Sequence, residues 1–138
     1  MDPCRQKKQG RPYGGVAVLW RKEVVEMVKE IRVTENRRII NVEVIIKGQK
    51  YYFLSAYAPC EGKGVDDNFN ILDFWGQLNG EIGNIDCENI VLGGDFNTDY
   101  KREGFFLETL KEGLKENDLI IGDRVYFCEQ NKWDQILD

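Results

Sequence analysis

An α/β fold with mixed strand pairing is what this sequence predicts, and three observations predict it. Ile40, Val42, Val44 and Ile46 recur with period two, the mark of a strand with one strongly apolar face. Phe69, Leu72, Trp75, Leu78 and Ile82 recur at helical spacing and are read as core-facing. The two kinds of segment alternate: strand, hairpin of two strands, helix, strand, helix, short strands. The 138 residues suit one domain, and 42% hydrophobic residues suffice for a core. Three Trp, six Tyr and seven Phe exclude a disordered chain.

Residues 1–12 are polar and read as a loose start. Gly14 to Trp20 reads as a buried strand entered through glycines. Val24 to Val33 mixes apolar and charged residues and fits a short helix or an edge strand, while Arg37 and Arg38 mark a turn. Gly48-Gln49 predicts a type II′ hairpin turn, and the partner strand, Lys50 to Ala58, is aromatic-rich. Pro59 ends it, and Asp67 is a candidate N-cap for the first helix. A strand from Asn89 to Gly93 follows, then a second amphipathic helix with Phe106, Leu110 and Leu114 as its stripe. Leu119-Ile120-Ile121 and Val125-Tyr126-Phe127 read as short strands, and Trp133 to Asp138 as the beginning of another.

Charge is unevenly spread. Residues 1–38 carry ten Lys/Arg against five Asp/Glu, and residues 39–138 carry nine against nineteen. An acidic body binds polyanions poorly unless a divalent cation offsets it. The basic start fits a solvated, frayed segment better than a phosphate-binding one. Cysteines at 4, 60, 87 and 128 form no C-x-x-C pair, which points to a reducing compartment rather than a zinc site or a disulfide framework. The absence of histidine excludes histidine-based triads and histidine proton shuttling within these residues. No apolar run approaches the ~20 residues of a membrane span, and the first residues are no secretory signal.

Chemistry concentrates in Val91-Leu92-Gly93-Gly94-Asp95-Phe96-Asn97-Thr98-Asp99. Asp95 and Asn97 point to one side if extended geometry persists. The glycines before them let a ligand or another backbone come close. A carboxylate beside a carboxamide suits phosphoester chemistry: one takes a proton or holds a metal, and the other donates to a phosphoryl oxygen. The same two residues also serve simply to build the turn that ends a strand.

Three segments in order, Gly14-Gly15-Val16-Ala17-Val18-Leu19, Ser55-Ala56-Tyr57-Ala58-Pro59 and Leu92-Gly93-Gly94-Asp95-Phe96-Asn97, resemble the endonuclease/exonuclease/phosphatase superfamily. The likeness is greatest to the apurinic-endonuclease-like domain of LINE-type retrotransposons and covers roughly residues 13–122. It implies a DNase I-like fold, a four-layer α/β sandwich in which two mixed sheets pack face to face with helices outside. It also implies that Asp95 orients or deprotonates the attacking water. Asn97 would hold the phosphate in the transition state, and Tyr57 would hydrogen-bond a phosphate oxygen or steady the developing charge. Mg²⁺ or Mn²⁺ is the implied cofactor, with Asp95 a second-site ligand at most.

The sequence departs from that pattern in places. Cys60 stands where members carry Asn. The family's early Asn and Glu ligands and its closing Asp-His pair have no match. Trp133-Asp134-Gln135-Ile136-Leu137 resembles the Arg-x-Asp-Tyr-x-Leu strand that precedes the closing pair, with Asp134 at the position of its Asp but without its arginine. Residues 1–138 are therefore expected to be one domain cut at both ends. The implied function is DNA cleavage by a retroelement endonuclease, inside the cell with the nucleus included, not secreted and not at a membrane. A reverse transcriptase region in the same parent polypeptide is an implied partner. The alternatives are a phosphatase or lipid phosphodiesterase of the same superfamily, or a dead fragment that only binds.

Overall fold

The computed structural model describes residues 15–60, 65–98, 101 and 103–121. Four strands form one mixed sheet in the order β1-β2-β3-β4. They are β1 (Val28–Val33), β2 (Ile39–Ile46), β3 (Gln49–Tyr57) and β4 (Ile90–Asp95). β1 with β2 and β2 with β3 pair antiparallel, whereas β3 and β4 run parallel. A parallel pair needs a long crossover, and α1 (Val65–Gly83) supplies it. The second helix, α2 (Phe105–Glu116), follows β4.

The core lies between the helices and one face of the sheet. Ile39, Tyr52, Leu54 and Ala56 project from the strands against Ile71, Phe74, Trp75 and Leu78 of α1 and Phe106 and Leu110 of α2. Phe96 stacks on Trp75, with ring centroids 6.0 Å apart and an interplanar angle of 21°. Tyr52 is buried with its hydroxyl donating to Glu43 Oε2 at 2.7 Å. That hydrogen bond and burial together hold the phenol pKa well above its ordinary value.

Several sequence expectations shift. The undecided stretch before β1 divides into a short 3₁₀ turn, Lys22–Met27, and β1 itself. Residues 15–20 form no strand, because no described residue pairs with them, and Leu19 is 89% exposed. On α1 the buried stripe is Ile71, Phe74, Trp75, Leu78 and Ile82. Phe69 and Leu72 lie off that stripe and are exposed. Since α1 begins at Val65, Asp67 falls inside its first turn rather than at its cap.

The hairpin turn is Lys47-Gly48, one residue earlier than expected, and both residues have positive φ (50° and 79°). Positive φ at both central positions is type I′ geometry, not II′. Leu119–Ile121 is not a strand. Asp118, at φ 53°, ends α2 in a left-handed turn, and the Leu119 N–H bonds the Leu114 carbonyl at 2.9 Å, a Schellman-type stop. The expected strands at Val125–Phe127 and Trp133–Asp138, with Asp134, lie outside the described residues, as do Gly14 and Asp99.

Candidate active site

The site is built by parallel pairing. In a parallel pair both strands finish at the same sheet edge, and the β3–β4 register sets Tyr57 directly beside Asp95. Tyr52, Leu54 and Ala56 fill the helix-covered face, so by strand alternation Tyr57 lies on the other one. Asp95 is its register partner and shares that face. Pairing continues one residue further, with the Ala58 N–H donating to the Asp95 carbonyl at 2.8 Å.

The two glycines before Asp95 do different work. Gly94 has φ 147°, and a Cβ there would lie 1.8 Å from the Ala56 carbonyl oxygen. The backbone that comes close is therefore β3 itself, and only glycine permits it. Gly93 has nothing within 4 Å of its Cβ position and leaves open space beside Asp95.

Beyond Asp95 the extended geometry stops. Asn97 has φ 50°, and its N–H is accepted by Asp95 Oδ1 at 2.9 Å. That is an Asx turn. Turn-building and exposure of the carboxylate therefore coexist, since Oδ1 holds the turn while Oδ2 accepts no hydrogen bond among the described residues. Asn97 does not simply continue the strand beside Asp95. Its Nδ2 donates to the Ala58 carbonyl at 2.7 Å, tying the exit of β4 to the end of β3. A carboxamide nitrogen carries two N–H groups, so one remains for a phosphoryl oxygen. Tyr57, Asp95 and Asn97 thus sit at one sheet edge.

Sequence reasoning passed over Arg38, read there only as a turn residue. Its guanidinium lies over the Tyr57 ring, Cζ 5.4 Å from the centroid, and Nη1 donates to the Tyr57 carbonyl at 3.2 Å. The detectable signal was the hairpin: a Lys47-Gly48 turn sets Ile39 against Ala56 and hence Arg38 against Tyr57. Cys60, a free and exposed thiol, has its Sγ 4.0 Å from the Tyr57 hydroxyl. A groove of about 680 Å³ runs along the outer edge of β4 between Val91, Asp95 and Thr98 on one side and Leu114, Leu119 and Ile121 on the other.

One exposed carboxylate does not make a Mg²⁺ site, which needs near-octahedral oxygen ligation. Among the described residues no three His, Cys, Asp or Glu side chains gather as one. The side chains described here therefore do not by themselves fit a resident cation. Among the described residues, too, no helix is long and apolar enough to cross a membrane.

No curated protein matches this chain. Among solved structures it resembles a β-hairpin deletion mutant of beta toxin from Staphylococcus aureus, at 14% identity and a TM-score of 0.46. That likeness covers 59% of this chain and 30% of the toxin chain. The family described as Endonuclease/Exonuclease/phosphatase family matches residues 3–130. With nearly the whole sequence matched, the chain belongs to the endonuclease/exonuclease/phosphatase family, whose members are hydrolytic phosphodiesterases and nucleases in general.

Proposed function

We propose that this chain carries part of the catalytic domain of a DNA endonuclease of the LINE-retrotransposon kind, cleaving phosphodiesters by attack of water. The observation that carries the reading is the register pair Tyr57–Asp95 at the ends of parallel strands, with Asn97 fastened beside it. Asp95 Oδ2 orients the water and takes its proton. The spare N–H of Asn97 and the Tyr57 hydroxyl donate to phosphate oxygens, where charge builds during displacement. Mg²⁺ or Mn²⁺, the cation such a reaction would use, requires ligands besides Asp95. The steps assigned here therefore belong to side chains alone. An intracellular site of action that includes the nucleus, and a reverse transcriptase region in the parent polypeptide, accompany this reading.

The test is nicking of supercoiled plasmid by the parent polypeptide expressed in full. Nicking that needs Mg²⁺, stops with chelator and falls about 10²–10⁴-fold in Asp95→Asn is the expected result. Hydrolysis of a lipid phosphodiester or a phosphomonoester with the plasmid untouched would move the chain to the phosphatase or lipid branch. Tight DNA binding without hydrolysis of any of the three would make it a binding module. The 138-residue chain alone is expected to leave the plasmid intact, because Asp95 stands without gathered acidic neighbours among the described residues.

A further inference from the structure

The geometry points to Arg38 as the residue that meets the substrate phosphate with positive charge and holds Tyr57 in place to bind it. This rests on the phosphodiesterase reading above and adds a residue to its machinery. Across three neighbouring strands the registers line up a cation, a phenol and a carboxylate. Ile39 faces Ala56, so Arg38, one residue before β2, stands opposite Tyr57. Tyr57 in turn faces Asp95. Arg38 precedes Ile39, which lies on the helix-covered face, so alternation puts it on the face of Tyr57 and Asp95.

Two contacts clamp one residue. The guanidinium covers the Tyr57 ring with Cζ 5.4 Å from its centroid, inside the range of a cation–π contact. Nη1 holds the Tyr57 carbonyl at 3.2 Å, so ring and backbone are fixed together. Arg38 is itself anchored. Asn36 Oδ1 accepts its N–H at 3.0 Å, and its own carbonyl accepts the Tyr57 N–H at 2.9 Å.

What remains unspent is the charge. The ion pairs among the described residues are Arg32–Glu81, Lys50–Asp86 and Lys111–Glu108, and Arg38 is in none of them. A guanidinium carries five N–H donors in a planar fork that matches two phosphate oxygens. Only one hydrogen bond from that fork is formed among the described residues. The need for such a cation follows from the charge distribution, since residues 39–138 carry nineteen acidic against nine basic side chains. Asp95 repels the phosphate whose water it would activate, and Arg38 offsets that repulsion from two strands away. The phosphate then rests on the Arg38 fork and the Tyr57 hydroxyl, with Asp95 at the far end of the row.

Dimethyl phosphate, a bare phosphodiester, is the probe. Titrated into the 138-residue chain at low ionic strength, it should shift the Arg38 Nε–Hε and Tyr57 ring NMR signals together. Arg38→Gln should weaken binding about tenfold, the loss expected of one charge-assisted hydrogen bond. Arg38→Lys, which keeps the charge but loses the fork and the stack on Tyr57, should weaken binding by about threefold, less than Arg38→Gln. Asp95→Asn should tighten binding. A merely structural role for Arg38 would lower the melting temperature of Arg38→Gln and leave the phosphate affinity unchanged, which would overturn the inference. If Arg38→Gln does not fold, shifts confined to residues away from Arg38 and Tyr57 in the unsubstituted chain would overturn it equally.

Thymidylyl-thymidine should bind more tightly than glycerophosphocholine; the reverse order would overturn the nucleic-acid source. Failure of the two ideas is separable in the parent polypeptide. Plasmid nicking with unchanged KM and kcat in Arg38→Gln defeats this inference alone. Phosphate binding that follows Arg38, in a polypeptide that hydrolyses no phosphodiester, defeats the enzymatic reading alone.

Discussion

Replacing Gly94 with alanine should damage this protein far more than the same change at Gly93, one residue away. The Gly94 Cβ would lie 1.8 Å from the Ala56 oxygen, 2.8 Å from its carbonyl carbon and 2.9 Å from its nitrogen. These are backbone atoms of the adjacent strand, so no rotamer change relieves the overlap. The φ of 147° adds strain of about 1–3 kcal/mol for any residue with a Cβ. Forcing the strands apart adds about 1–3 kcal/mol by analogy with overpacked cores. A combined loss of about 4 kcal/mol is a large share of the roughly 5–15 kcal/mol that stabilises an ordinary domain. At this chain length it should lower the melting temperature by about 12 °C. Gly93→Ala meets nothing within 4 Å and should stay within about 0.5 kcal/mol of the parent. Urea titrations followed by tryptophan fluorescence measure both variants. Equal shifts in the two midpoints would refute the claim that close approach of β3 to β4 sets the position of Asp95.

Gly113→Ala should cost about 1–2 kcal/mol, because its Cβ would lie 2.3 Å from Trp75 Cζ3; overpacking there outweighs the helix-propensity gain. Gly76→Ala, with nothing within 4 Å, should instead stabilise by up to about 1 kcal/mol, and thermal melts compare the pair. Tyr52 holds its proton more tightly in the fold than in the unfolded chain. Stability should therefore be full below pH about 10 and fall as pH rises past it towards the raised folded value. Urea midpoints from pH 8 to 11 should show that fall, and Tyr52→Phe should flatten it. In the parent polypeptide, Asp95→Asn should lower nicking about 10²–10⁴-fold with melting unchanged to within about 0.5 kcal/mol. Phe96→Leu, which loses the stack on Trp75, should lower stability by about 1 kcal/mol and leave nicking intact.

Where a residue's partners are near in sequence, its place was legible. The stop at Pro59 and the stripe Phe106–Leu110 depend on local pattern, and both appear as read. The alternation of Ile40 to Ile46 does form a strand, but Ile39 is the residue that faces the helices, and of Ile40, Val42, Val44 and Ile46 only Val42 is buried. The glycine pair was legible as a point of close approach, but not that Gly94 alone makes it, against Ala56. Residues 15–20 were misread because an apolar run predicts burial, while a strand requires a neighbour to accept its hydrogen bonds. Phe69 and Leu72 were misread because several phases of a helix fit a segment so rich in apolar residues, and only packing on the sheet selects one. Arg38 was missed through the turn. Moving a hairpin turn by one residue on each strand changes which side chains face each other while preserving the alternation that made the strand legible.

The same register explains why chemistry gathers at this edge rather than at the other. Antiparallel β2 begins where β3 ends, β1 ends beside the start of β2, and parallel β4 ends where β3 ends, so one edge collects a strand start and three strand finishes. There the chain leaves the ladder, and its polar groups must find partners outside regular pairing. Asn36 turns back to cap Arg38, Asp95 caps Asn97, and Asn97 reaches across to Ala58. Each of these bonds repairs a strand end, and together they hold the phenol and the carboxylate side by side, with the Arg38 guanidinium over the phenol ring. At the opposite edge, β2 and β3 close through Lys47-Gly48 with their ladder complete to Ile46 and Gln49. The backbone of those two strand ends is satisfied by the tight turn itself.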